Sequence, residues 1–171
     1  MYAPRRAMPP CEVPPEAHTF LYAFRKLLLV LHFAGAVVLA GSSTHLALQM
    51  PALLRGAPRV RLERVYGRVV AASFALTYAL GALLYPTYRY HVRALFLDRH
   101  HPMVANVFDI KENLATIALP LALALGVLGG KLTDPEDAPF RPVYASMSVL
   151  VAVVVWFNVL SGVVIASYRA V

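Results

Sequence analysis

A chain of 171 residues in which 59% are hydrophobic and only 15% charged, with a mean hydropathy of +0.61, is excluded from the ordinary soluble domains. The formal charge of +7 raises nucleic acid as a partner, but the arginines fall in short segments between apolar runs and form no basic face, so the expected counterpart is anionic lipid headgroups and not nucleic acid. A single cysteine, Cys11, excludes an intrachain disulfide, an iron–sulfur cluster, a thiolate zinc site and a covalent c-type haem within this chain.

Residues 1–19 carry Pro4, Pro9, Pro10, Pro14 and Pro15, which forbid a regular helix and predict an extended arm ordered through a partner. The apolar segment that follows is too long for a cleavable signal, so the first helix is expected to stay in the mature protein. Residues 20–171 then form one domain. Apolar runs at 20–50, 64–85, 103–129 and 143–168 each match the roughly 20 helical residues that cross a bilayer. The expected fold is an all-α integral membrane protein, a four-transmembrane-helix up-down bundle with both termini on one side. Lys and Arg divide almost evenly between the two sides, so the positive-inside rule gives no orientation; the expected location is a bacterial inner membrane.

The first helix carries Ala36, Ala40 and Thr44 at a spacing of four, and the second carries Ser73, Thr77 and Gly81 in the same way. Both read as small-residue faces for close helix packing. His45 lies some 20 Å along the helix from His32 and about 140° around it, so the two share no ligand, and a hydrogen bond across the bundle is the expected role of His45. The segment between the second and third helices, 86–102, reads as a loop bearing His91, His100 and His101. On the third helix Asn106, Asp109, Asn113 and Thr116 make a polar stripe bordered by Glu112, while Lys111 points about 100° away from Glu112 unless its stem bends back. Pro120 predicts a kink, and Gly129-Gly130 a helix end. In the fourth helix Asn158 is the one strongly polar interior group, with Ser161 a turn away.

Depth draws these residues together. Counted from Arg25 and Lys26, His32 lies roughly 9 Å into the apolar layer; counted from Met103, Asp109 lies about 9 Å and Glu112 about 13 Å deep on the same side. Ionisable groups are costly at such depth and mark a site by default. The candidate residues are therefore Asp109, Glu112 and Lys111 for proton or charge chemistry, and His32, His91, His100 and His101 for a cofactor. Histidine beside carboxylate suits coupled proton and electron transfer, with haem b ligated by His32 and one of the other three histidines, or a quinone lined by His32 with the carboxylates as proton acceptors. The bland alternative is a solvated helix start with internal ion pairs, as in structural charge networks. No phosphate loop, H-E-x-x-H motif or nucleophile elbow is present.

Three stretches carry a family resemblance: Leu31-His32-Phe33-Ala34-Gly35 early in the first helix, Val65-Tyr66-Gly67-Arg68 opening the second, and Asp109-Ile110-Lys111-Glu112 at the head of the third. Together they resemble the membrane families around copper-resistance protein D and the bacterial haem-pathway protoporphyrinogen oxidase. The resemblance implies a four-helix core handling a haem-type or metal ligand, with His32 and Lys111 as functional residues; the Asp109 and Glu112 carboxylates lie outside the pattern. The expected function is an integral membrane subunit of a redox or cofactor-binding system, working with other membrane protein subunits. The alternatives are a non-catalytic assembly subunit of a larger membrane complex, and metal-ion transport or delivery by the same nitrogens and oxygens.

Overall fold

The computed structural model describes residues 21–57, 59–129, 131 and 135–168, so the proline-rich arm 1–19 lies outside the described residues. A 3₁₀ turn at Tyr22–Phe24 leads into α1, Arg25–Leu54. Helix α2, Val60–Tyr88, continues as a π-helix over Arg89–Leu97 and a final turn at Asp98–His100. Helix α3 is Pro102–Leu128, and α4, Arg141–Tyr168, follows a 3₁₀ turn at Pro135–Phe140. The described chain is all-helical, and four of its helical segments are long and apolar enough to cross a membrane.

Helix boundaries follow local chemistry. Pro51 removes one donor but does not stop α1, which ends where Gly56 adopts a left-handed φ of 79°. There the Gly56 amide donates to the Leu53 carbonyl at 3.1 Å and the Ala57 amide to the Ala52 carbonyl at 3.0 Å, the paired bonds of a Schellman cap. Helix α3 starts on Pro102, whose missing donor costs nothing at a first helical position, and runs through Pro120 as one helix.

The expected loop at 86–102 is instead helix almost throughout. Between Pro86 and His101 there is no glycine, asparagine or second proline to break it. Widening to π geometry puts Val92 and Leu97, five residues apart, at 1% and 0% exposure against Ala105 and Phe108 of α3. The chain turns only at His101, where the following proline favours extended backbone and φ is −142°.

Each helix packs on the next, and α4 closes back on α1. Leu46, Met50 and Leu53 of α1, Val70 and Phe74 of α2, Ala122 and Leu125 of α3 and Val151 and Val155 of α4 fill the centre. Large apolar side chains such as Phe33, Leu48, Ile117, Val127 and Leu160 face outward, while Ser43, Ser73, Ser148 and Ser161 are inside. The inward hydroxyls of Ser73, Ser148 and Ser161 are satisfied on their own helices by carbonyls one turn back, those of Val69, Tyr144 and Phe157.

Small residues set the closest approaches. A Cβ on Gly126 would lie 2.7 Å from the Ala71 Cβ, and one on Gly67 2.8 Å from the Leu125 carbonyl oxygen, so α2 and α3 cross backbone to backbone. The α2 face of Ser73, Thr77 and Gly81 meets α1, but through Gly35 and His32. The α1 stripe turns elsewhere: Thr44 accepts a 2.8 Å hydrogen bond from Trp156 Nε1 of α4.

Candidate functional site

Ring contacts bring four helix ends together. Tyr22, just before α1, packs on His91 of the π-helix with ring centroids 4.9 Å apart; His101, just before α3, packs on Tyr168 at the end of α4 at 4.8 Å. At the opposite end the Tyr144 hydroxyl, in the first turn of α4, sits 3.5 Å from the Glu63 carbonyl in the first turn of α2.

Near the first of these ends, Arg93 organises the charge. Its guanidinium forks onto both Asp109 oxygens, Nη1 to Oδ1 and Nη2 to Oδ2 at 2.9 Å, and its Nε lies 3.5 Å from Asp98 Oδ1. A bidentate fork is the strongest form of this pairing and fixes the π-helix against α3. Below it, Tyr88 stacks on Phe108 at 4.2 Å, and its hydroxyl is buried with no hydrogen-bond partner among the described residues. Lys111 bends back: its Nζ lies 5.2 Å from the Phe108 ring centre, within electrostatic reach of both Glu112 and His32. Neither Lys111 nor Glu112 has an ion-pair partner within 4 Å among the described residues.

His32 is held from α2. Its Nδ1 is 3.0 Å from the Thr77 carbonyl oxygen, and its Cε1 occupies space that a side chain at position 81 would crowd, since a Cβ on Gly81 would fall 3.2 Å away. The Thr77 hydroxyl lies over Gly35, 2.6 Å from where a Cβ would stand. Thr77 and Gly81 thus form the socket of the imidazole, and the bare Gly35 lets the Thr77 residue come down onto α1. A carbonyl oxygen only accepts, so the proton of this hydrogen bond is on Nδ1, and in the neutral ring the lone pair is on Nε2.

The other histidines are set apart from His32. His91 is ten residues beyond Gly81 on α2 and faces Tyr22, ten residues before His32, so it stands roughly 15 Å further along the axis. Its ring lies between Tyr22 and Tyr90, with Nε2 buried and no hydrogen-bond partner among the described residues. His100 is exposed and bonds the Phe96 carbonyl at 3.0 Å, and His101 rests against Phe96 and Tyr168. His45 faces outward and packs its ring on Tyr66 at 4.6 Å in place of a hydrogen bond across the bundle. Asn158 bonds its own helix at the Val154 carbonyl.

The α3 polar stripe divides. Asp109 goes to Arg93, and Thr116 joins Tyr78 of α2 at 3.0 Å, while Asn106 and Asn113 are exposed. Sequence reasoning missed Arg93, Tyr88 and the Thr77–Gly81 socket. The available signal was the aromatic and apolar run Tyr85, Tyr88, Val92, Phe96, whose spacings of three and four continue the helix past Pro86.

Among the described residues no three His, Cys, Asp or Glu side chains converge as a metal-holding group. Comparisons with protein-family models, with curated proteins and with solved structures find no match for this chain.

Proposed function

We propose that this chain is an integral membrane subunit of a redox system, an up-down bundle of four spanning helices in a bacterial inner membrane, whose His32–Lys111–Glu112 cluster binds a quinone-type head group. Insertion is supported by four apolar helices with their large apolar side chains outward and their hydroxyls inward, an arrangement suited to hydrocarbon around the bundle. The alternation of direction is supported by the Tyr22–His91 and His101–Tyr168 contacts at one end and the Tyr144–Glu63 contact at the other.

The observation that carries the reading is the His32–Thr77 hydrogen bond, which leaves Nε2 as a fixed acceptor between apolar helices. A quinone supplies two-electron, two-proton chemistry when bound. The chain's contribution is an acceptor at His32 Nε2 for a quinol hydroxyl, a cation at Lys111 to hydrogen-bond a ring carbonyl, and a carboxyl at Glu112 to take or give the proton. Haem b fits less well, because a second histidine would have to hold it together with His32, and His91 stands about 15 Å further along the bundle. With one cysteine the chain cannot hold an iron–sulfur cluster of its own, and this reading assigns the electron carriers to other membrane subunits.

The Arg93 fork favours a second reading, an assembly subunit in which the charges only tie helix ends together. The optical spectrum of the purified protein, with extraction of bound quinone, separates the readings. A quinone-type lipid without a Soret band, lost in His32→Ala, is expected; a Soret band would establish haem instead, and neither pigment nor quinone would leave the assembly reading.

A further inference from the structure

A second polar group is buried at the other end of the bundle, and the His32 cluster makes no use of it. Glu63, in the first turn of α2, is 1% exposed. Its Oε1 accepts the Arg59 amide proton at 2.9 Å, while Oε2 is buried without a hydrogen-bond partner among the described residues. Tyr144, also 1% exposed, sends its hydroxyl between α2 and α3; a Cβ on Gly67 or Gly129 would come within 3.0 or 2.7 Å of that oxygen. Arg141, one turn before Tyr144, is within electrostatic reach of Glu63, yet its Nε is buried and unpartnered among the described residues. Gln49 is 7% exposed with neither amide atom bonded, and stands five residues before the end of α1, hence at this same end.

A carboxylate with one backbone donor and no bulk water is unstable unless it is paired or protonated. Pairing would need Arg141 in contact, and no Arg141–Glu63 ion pair within 4 Å occurs among the described residues. Among the described residues, Arg141 is the cation whose charge reaches the Glu63 carboxyl, while Tyr144 of α4 and the Gly129 position of α3 lie against the Glu63 backbone carbonyl. A proton on Oε2 makes that oxygen a donor, at an end where the Gln49 carbonyl is an unused acceptor. We propose that Glu63 is a proton-binding carboxyl, a site that exchanges a proton with the membrane face opposite His32. The proposal stands whether or not His32 binds a quinone, and its test reads Glu63 alone.

Dicyclohexylcarbodiimide reacts with a carboxylic acid in an apolar setting: the acid proton goes to one carbodiimide nitrogen, the carboxylate oxygen adds to the central carbon, and the acyl group migrates to nitrogen with nothing lost. The full chain in lipid nanodiscs is treated with the reagent from pH 5 to 9, and adducts are located by peptide mass. The expected result is an adduct on Glu63 whose rate falls about tenfold per pH unit once the proton is released, is absent in Glu63→Gln and persists in Arg141→Gln. Because the adduct is located in the unaltered protein, the result does not depend on a variant folding. Adducts only on other carboxyls, or a Glu63 rate independent of pH, overturn the proposal.

Discussion

Exchanging the two residues at the α2–α3 crossing tests the packing that positions the site. A methyl group on Gly126 would stand 2.7 Å from the Ala71 Cβ, well inside the roughly 3.5–4.0 Å of an ordinary carbon contact, whereas its other neighbours, the Gly67 carbonyl oxygen at 3.5 Å and the Arg68 Cα at 3.8 Å, tolerate it. Gly126→Ala should gain up to about 1 kcal/mol of helix propensity but lose about 1–3 kcal/mol to overpacking, for a net cost of about 1 kcal/mol. Ala71→Gly removes the obstructing methyl and costs about 1 kcal/mol in propensity. The double variant has the methyl back in the same space from the other helix, so it should recover nearly to the parent, an interaction term of about 2 kcal/mol. Reversible denaturation in mixed micelles of the four proteins in this cycle measures it. Additivity within about 0.5 kcal/mol would show that the backbones do not approach as described.

Three further outcomes follow from particular contacts. Gly56→Ala should cost about 1 kcal/mol in the same denaturation assay although no atom lies within 4 Å of the new Cβ, because the penalty is that of left-handed backbone; Gly56→Asn should cost less. Trp156→Phe removes the donor to Thr44 and should cost about 0.5–1.5 kcal/mol, an effect that should vanish when Thr44 is already Val. Arg93→Met and Asp109→Asn, each alone and together, should give a coupling of about 1 kcal/mol, since the fork is bidentate but the Asp109 side chain is 41% exposed and partly screened by solvent. Zero coupling in that cycle would remove the fork as a tie between α2 and α3.

The sequence carries the helices more plainly than the site. Long apolar runs separate α1, α2, α3 and α4 because outward-facing and core-facing positions are both apolar, so composition alone marks them. For the same reason the faces are hard to assign: Thr44 looks like a partner for α2 and turns to Trp156 of α4. The extension after Pro86 was hidden because proline and a run of charged and aromatic residues resemble a loop, while a helix loses only one hydrogen bond to an internal proline when its neighbours pack well. Depth counting brought Lys111 and Glu112 close to His32, but it could not find Arg93, whose partner Asp109 is sixteen residues away across a turn. His91 and His100 of that extension and His101 just after it lie near one end by count, and only the axial offset of His91 from Gly81 separates them from His32.

In the proposed site His32 offers its Nε2 to a quinone-type ring. Equilibrium binding of a short-chain quinone to the purified protein in nanodiscs, followed by quenching of Trp156 fluorescence, measures it most directly. Saturable binding near one molecule per chain is expected, weakened at least tenfold (about 1.4 kcal/mol) in His32→Ala and unchanged in Gly56→Ala, which shares the stability loss but not the site. Equal affinity in the unaltered protein and in folded His32→Ala, or no saturable binding in either, would contradict it.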